Sequence, residues 1–264
     1  LAALGEYLSA WLEPERGFIT RHFSPAGGRM YFTEENAMRI DAARAALHRW
    51  HTSGLLDDDG FHLLLAAVLE GADRVANTAG VYAAFIKTWQ PNAVRRVTFA
   101  PEPPVRGKRS TAHRADAADV ARSAGDVDLL YVDPPYNGRQ YAGYYHLPEI
   151  IARGWFDAEP ALRGKTGLLS DTVPRSPWCS RRRAPAALAE LLAATRARHV
   201  LLSYNSEGIL SPEEITESLR AASADATVRR FTTRYRRYRA DSDRAGRRYS
   251  GDEVRELLYW ARLR

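Results

Sequence analysis

Apolar positions recur along this chain with two different periods, and the helical one dominates as far as about residue 95. Between Met38 and Trp50, the residues Met38, Ala42, Ala45, Ala46 and Trp50 fall near one face of a helix. Thr33 is a suitable N-cap for it, with acidic residues following. Phe61 to Leu69 predicts a strongly apolar helix continuing through Glu70 towards Ala76, and the proline- and glycine-containing stretch Ser24 to Arg29 predicts a loop. Pro101 to Lys108 (PEPPVRGK) has the composition of a linker, so a mainly helical region over 1–100 is expected to precede an α/β region over 101–264.

Beyond the linker, short apolar runs alternate with helical patterns, which predicts a parallel sheet with crossover helices. Thr111 to Asp116 reads as a short strand leading into a helix over Ala117 to Ala124. Asp128 to Val132 reads as a buried parallel strand, and His199 to Tyr204 (HVLLSY) as a second one. Helices are expected over Leu147 to Arg153 and Ala184 to Arg196, with a loop-rich segment from Lys165 to Arg183 between them. Ser211-Pro212-Glu213-Glu214 starts a further helix, serine capping and proline in the first position. Val228 to Tyr238 and Val254 to Trp260 alternate as a closing antiparallel hairpin would.

The strand Asp128 to Val132 ends abruptly at Asp133-Pro134-Pro135-Tyr136. Two prolines cannot donate to a sheet ladder, and each holds the residue before it extended, so the backbone leaves the strand stiffly. Open α/β sheets bind ligands at the carboxyl ends of parallel strands. The residue types suit activation of an exocyclic base amine, whose lone pair is delocalised into the ring. The Asp133 carboxylate and the Pro134 carbonyl can both accept from such an amine, drawing the lone pair out of conjugation, while Tyr136 can stack on the base. A strand end followed by a proline-rich turn is the plainer alternative. The loop that follows carries Asn137, Arg139, Gln140 and Tyr141, a mixture able to line a pocket for an extruded base and hold its phosphates.

Four blocks carry a resemblance. Tyr131-Val-Asp-Pro-Pro-Tyr-Asn-Gly-Arg-Gln-Tyr141, followed by Tyr145-His146-Leu147, together with Ser203-Tyr-Asn-Ser-Glu-Gly208 and Ala76-Asn-Thr-Ala-Gly-Val-Tyr82, resembles the DPPY class of S-adenosylmethionine-dependent N6-adenine DNA methyltransferases, and within it the D12 branch of restriction–modification enzymes. The resemblance implies a Rossmann-like methyltransferase sheet with an inserted helical, DNA-contacting part. It matches Asp116, next to Ala117, to the acid that contacts the adenine of S-adenosylmethionine, although Asp116 alone suits an N-cap equally. It also places the Ser203-Tyr204-Asn205 strand end beside Asp133 as a wall of the target-base pocket. The Tyr144–Tyr145 pair departs from the family pattern, which has an asparagine near this point. His146 is expected to be structural, since no base beyond Asp133 is required.

One expected element is not found. Cofactor binding calls for a glycine-rich turn after an apolar strand, and Gly27-Gly28, following a proline loop, is a weak substitute. The acidic residue for the cofactor's ribose cannot be placed either, so by resemblance the chain begins after both elements and the sheet is incomplete at its N-terminal strands. The strand ending at Val132 would then expose an unpaired apolar edge. A truncated sequence, a second chain supplying the missing half and a degenerate remnant explain this, in that order of preference.

Composition adds bounds. The 264 residues can form one large α/β domain with a helical subdomain, and a hydrophobic fraction of 45% supports a packed core. No apolar run approaches the roughly 20 residues of a membrane span and no signal peptide opens the sequence, so a cytoplasmic location is expected. Cys179 is the single cysteine, which excludes an internal disulfide and a cysteine-based zinc cluster, and no metal is expected. Of the net charge of +6, the stretch Arg229 to Arg248 holds nine arginines against two aspartates, so the rest is close to neutral. Such asymmetry suits a polyanion contact, with Arg236, Arg237 and Arg239 as candidates, or simply a solvated arginine-rich surface. Asn77, Thr78, Lys87 and the run Arg181 to Arg183 are weaker phosphate-contact candidates.

The leading expectation is a site-specific adenine N6-methyltransferase using S-adenosylmethionine on double-stranded DNA, without a covalent enzyme intermediate. Its expected partners are a cognate restriction endonuclease or a second chain. The alternatives are a non-catalytic DNA-binding remnant or subunit of a split methyltransferase, and the same chemistry on RNA adenine or cytosine N4.

Overall fold

The computed structural model describes residues 1–105, 107–108, 110–170, 175–236 and 253–263. In chain order the helices and strands are α1 (Ala2–Glu6), α2 (Phe18–Phe23), α3 (Glu34–Thr52), α4 (Asp58–Arg74), α5 (Ala117–Ser123), β1 (Asp126–Val132), α6 (Tyr141–Tyr144), α7 (His146–Arg153), β2 (Leu162–Arg163), β3 (Leu168–Leu169), α8 (Ala184–Ala194), β4 (Arg196–Asn205), α9 (Pro212–Ala222), β5 (Val228–Arg236) and β6 (Glu253–Arg262). They form two compact units, Leu1–Gly107 with Tyr141–Val173, and Lys108–Gln140 with Pro174–Arg264. The chain first passes from one unit to the other between Gly107 and Lys108. The segment from Tyr141 to Val173, expected with the α/β region, belongs instead to the helical unit, because Leu147, Ile150 and Ile151 of α7 bury their apolar face in its core.

In the helical unit α3 starts where Thr33 accepts from the Asn36 N–H at 3.2 Å, and α4 where Asp57 accepts from Gly60 at 2.8 Å. The core gathers Phe18, Phe23, Tyr31, Phe32, Ile40, Leu47, Leu64 and Phe99. Two buried charges organise it. Asp41, on α3, caps the start of α2 from a distance: its carboxylate accepts from the backbone of Gly17 (2.9 Å), Ile19 (2.8 Å) and Thr20 (2.8 Å), and from the Thr20 hydroxyl (2.6 Å). Burial pushes this carboxyl upward from its ordinary value, and the donors hold that rise in check. Arg44, also on α3, lies between the rings of Phe61 and Phe156 (5.5 and 5.1 Å). It donates to the carbonyls of Ile151 and Ala152 at the end of α7, and burial draws its pKa down to about 10.

Asn77 is fully buried. Its amide donates to the carbonyls of Met30 and Ile86 and its oxygen accepts from Gln90, so it closes a loop and is not available to a phosphate. His146 is also fully buried at the start of α7, against Phe23 and Tyr31 and 3.0 Å from the Thr166 carbonyl.

The other unit is a four-stranded mixed sheet in the order β1-β4-β6-β5. β1 runs parallel to β4, and β6 is antiparallel to both β4 and β5, so the expected closing hairpin is present. Alternation sorts the strand residues cleanly. Leu130, Val132, Val200, Leu202, Tyr204, Leu257, Tyr259 and Ala261 pack against Leu188, Leu191 and Leu192 of α8 and Ile215 and Leu219 of α9. α9 opens with a full capping box, Ser211 and Glu214 exchanging side-chain and backbone bonds. Thr111 to Asp116 forms no strand. Asp116 instead accepts from the Ala118 N–H at 2.9 Å as the N-cap of α5, which fixes the chain in a turn.

The expectation that β1 is buried is only half met. β1 is an edge strand, and the side of the sheet opposite α8 and α9 leaves Leu129 52%, Tyr131 56% and Phe231 55% exposed. Parallel strands are ordinarily covered on both faces, and unpaired apolar edges seek other edges. The chain is therefore expected to associate as its concentration rises, and Leu129→Lys with Tyr131→Lys to shift it towards monomer in light scattering. An unchanged mass distribution would show that this face does not drive association.

Candidate active site

β1 delivers Asp133 to its tip, and the two prolines then hold the backbone clear of the ladder. Pro134 is buried, while Asp133 on one side and Tyr136 on the other are exposed, Tyr136 to 47%. Among the described residues, no hydrogen-bond or ionic partner engages the Asp133 carboxylate. A cavity of about 570 Å3 runs beside the strand, lined by Asp133, Pro134 and Pro135, by Leu129 to Val132, and by Ala115, Ala117, Val120 and Trp178. That volume is within the roughly 300–1,000 Å3 of small-molecule sites. The walls are mostly apolar, and Asp133 and His113 are the acidic and basic side chains among them.

Of the sequence candidates, Asp133, Pro134, Pro135 and Ala117 thus share one cavity, and Asp116 sits between two of its lining residues. The loop after Tyr136 is tied down. The Asn137 side chain accepts from the Arg139 N–H at 3.0 Å, the Gln140 side chain from Ser176 at 2.9 Å, and the Arg139 carbonyl from the Cys179 thiol at 3.3 Å. Tyr141 belongs to the helical unit, where its half-exposed ring stacks on Tyr145 with centroids 5.5 Å apart. Arg236 ends β5, whereas Arg237 and Arg239 lie outside the described residues.

Tyr204 requires a correction. It was expected to face nucleic acid, but it is 3% exposed, in phase with Val200 and Leu202 on the packed face of β4. Its hydroxyl accepts from the Leu210 N–H at 3.1 Å, and a Cβ at Gly208 would lie 2.1 Å from its ring, so only glycine fits there. The turn it supports is also bound to the Asp133 loop, since the Ile209 N–H donates to the Tyr136 carbonyl at 3.0 Å. Arg181, a phosphate candidate in the sequence, is committed within the protein: its guanidinium donates to the Ile209 carbonyl and to Glu214.

A family model described as D12 class N6 adenine-specific DNA methyltransferase matches residues 4–217. The chain belongs to that family. It is 35% identical over 252 residues to Type II methyltransferase M.NlaIII of Neisseria lactamica, covering 94% of this chain and 72% of that one. It is 35% identical over 247 residues to Type II methyltransferase M.FokI of Planomicrobium okeanokoites, with 92% of this chain and 37% of that protein covered. With Type II methyltransferase M.CviAII of Paramecium bursaria Chlorella virus 1 it shares 33% over 247 residues, 92% and 69% of the two chains. The chain therefore spans little more than a third of one of these relatives and about seven-tenths of the other two. No solved structure matches it. Among the described residues of this D12-family chain, β1 lies at the edge of the sheet.

Sequence reasoning did not single out Trp178, Val120 or Ala115 as cavity walls, nor Ile209 as the partner of Tyr136. Trp178 lies in a loop-rich stretch with no period to read. Ile209 acts through its backbone, which no side-chain pattern announces. Among the described residues, no group of three His, Cys, Asp or Glu side chains is arranged to hold a metal, and no helix is long and apolar enough to cross a membrane.

Proposed function

We propose that this protein methylates the N6 amine of adenine in double-stranded DNA with S-adenosylmethionine as donor, as the modification member of a restriction–modification pair. The observation that carries this reading is the Asp133 carboxylate, without a partner among the described residues and held by two prolines at a parallel strand's tip beside an apolar cavity. Apolar walls suit a purine ring, and a lone carboxylate suits a sulfonium, so the residues present fit part of the cofactor. Ala117 and its neighbours, with Asp116 as the acid beside them, would hold the cofactor's adenine ring, and Asp133 would face the sulfonium end. When bound, S-adenosylmethionine supplies an electrophilic methyl on positively charged sulfur.

The chain's own residues prepare the nucleophile. Asp133 and the Pro134 carbonyl accept the two N–H bonds of the adenine amine, which turns the nitrogen lone pair out of the ring plane and aims it at the methyl. Tyr136 stacks on the extruded base and holds it out of the duplex. As the new N–C bond formed, the methyl–sulfur bond would break with its electron pair left on sulfur, and the nitrogen would gain positive charge beside the Asp133 carboxylate, which stabilises it until one amine proton is lost to solvent. Asn137, Arg139, Gln140 and Tyr141, with Arg236, Arg237 and Arg239, form the proposed nucleic-acid contacts, and the helical unit is the proposed DNA-contacting region. The reaction would take place in the cytoplasm, opposite a cognate endonuclease of the same recognition sequence.

The test is transfer of a labelled methyl from S-adenosylmethionine to duplex DNA, with the product nucleosides separated. Label on N6-methyladenine is expected. Label on N4-methylcytosine would move the substrate, and DNA binding with no cofactor binding in calorimetry would leave only a DNA-binding subunit.

A further inference from the structure

The Asp133 loop leaves its sheet and must still present Tyr136 at a fixed angle, and the means of fixing it lies outside the motif. The turn after β4 is pinned on three sides. The Ile209 N–H holds the Tyr136 carbonyl at 3.0 Å. The next peptide group is bonded at both ends, its carbonyl oxygen accepting from Arg181 and its N–H donating to the Tyr204 hydroxyl. Arg181 in turn reaches the Glu214 carboxylate at 2.5 Å, and that same oxygen accepts from the Ser211 N–H at 2.7 Å. A peptide group polarised from both sides makes stronger bonds than one held at a single end. The Arg181 guanidinium and the Ser211 donors also hold the Glu214 carboxyl below its ordinary value, so the pair stays ionised at neutral pH.

We propose that Arg181 is a positioning residue for methyl transfer: paired with Glu214, it fixes the backbone at Ile209, which sets the Tyr136 carbonyl and with it the angle of the ring that stacks on the extruded base. This rests on the function proposed above. Arg181 touches neither base nor methyl donor in this scheme. It acts through two hydrogen bonds, and a misplacement of about 1 Å at a reacting centre suffices to lower a rate by about a hundredfold. The same arrangement gives a pH dependence. Glu214, with its folded value depressed, supports the turn above its ordinary range and ceases to do so as the pH falls through that depressed value.

The experiment compares the unsubstituted protein with Arg181→Ala and with the exchanged pair Arg181→Glu plus Glu214→Arg. Two readouts are taken together: hydrogen exchange at the Ile209 amide, and kcat against KM for duplex DNA. Arg181→Ala is expected to speed exchange at Ile209 by about tenfold or more. It should lower kcat by about tenfold or more with KM within about twofold, and the exchanged pair should recover part of both. Unchanged exchange, or faster exchange with unchanged kcat, overturns the proposal. So does a loss confined to DNA affinity with a salt slope shallower by about one, which would make Arg181 a phosphate contact. If the unsubstituted protein transfers no methyl group, the function proposed above fails and the positioning role of Arg181 in methyl transfer fails with it. Exchange at Ile209 then reports separately on whether Arg181 holds the turn.

Discussion

Asp133→Ala is expected to slow methyl transfer by about a thousandfold or more, equivalent to about 4 kcal/mol of transition-state stabilisation, while duplex affinity changes little. The reasoning starts from geometry. Asp133 stands at the tip of β1 with no partner among the described residues, so alanine there orphans no structural donor and the loop keeps its shape through Pro134, Pro135 and the Ile209 bond. On the proposed mechanism, what is lost is the anion beside a nitrogen that becomes positive during transfer. Charge-assisted hydrogen bonds contribute about twice what neutral ones do, so Asp133→Asn, which keeps the size and one acceptor, should retain more activity than alanine and far less than aspartate. Single-turnover transfer from labelled S-adenosylmethionine reads the rate, and a gel-shift titration at fixed salt reads the affinity. Wild-type transfer by the alanine variant would remove Asp133 from the mechanism.

Asp41→Ala is expected to have the largest effect on stability, about 3–5 kcal/mol. One carboxylate satisfies three backbone donors at the first turn of α2 and one hydroxyl, all buried or partly so. Helix starts leave their first N–H groups without intrahelical partners, and Gly17, the cap residue, offers no side chain to them. A Cβ at residue 17 would itself lie 2.6 Å from the Asp41 carboxyl carbon, so a substitute cap at Gly17 cannot be fitted without moving Asp41. Urea unfolding followed by helical circular dichroism measures the loss. Asp41→Asn should recover only part of it, because an amide nitrogen cannot accept. A midpoint unchanged in Asp41→Ala would mean that solvent reaches these donors.

The elements that sequence identified are those whose cause is local. Two prolines end β1 wherever the rest of the chain goes, Thr33 and Ser211 carry their own capping chemistry, and the hairpin of β5 and β6 follows from alternation. Asp116 was legible as a cap and was read as a strand end, because an acid after an apolar residue fits both. Tyr204 misled for a different reason. A tyrosine at a strand's end near a catalytic loop looks like a pocket wall, yet counting by twos from Val200 places it on the packed face. Arg181 was indistinguishable from its two neighbours, since its partner Glu214 comes 33 residues later and only the folded chain joins them. The cavity beside Asp133 was anticipated from the motif, and Ala117 as part of its α5 wall from the resemblance, but Val120 and Ala121 were not, because small residues on a short helix give no periodic signal.

The placement of α7 bears on how proteins of this plan can be taken apart. Leu147, Ile150 and Ile151 fill the same core as Phe23 and Leu64, although they are encoded after the Asp133 motif. A gene fragment ending near residue 107 would therefore yield a helical piece with a hole through its middle. Moving this unit whole onto another protein would take three junctions made together, after residues 107, 140 and 173.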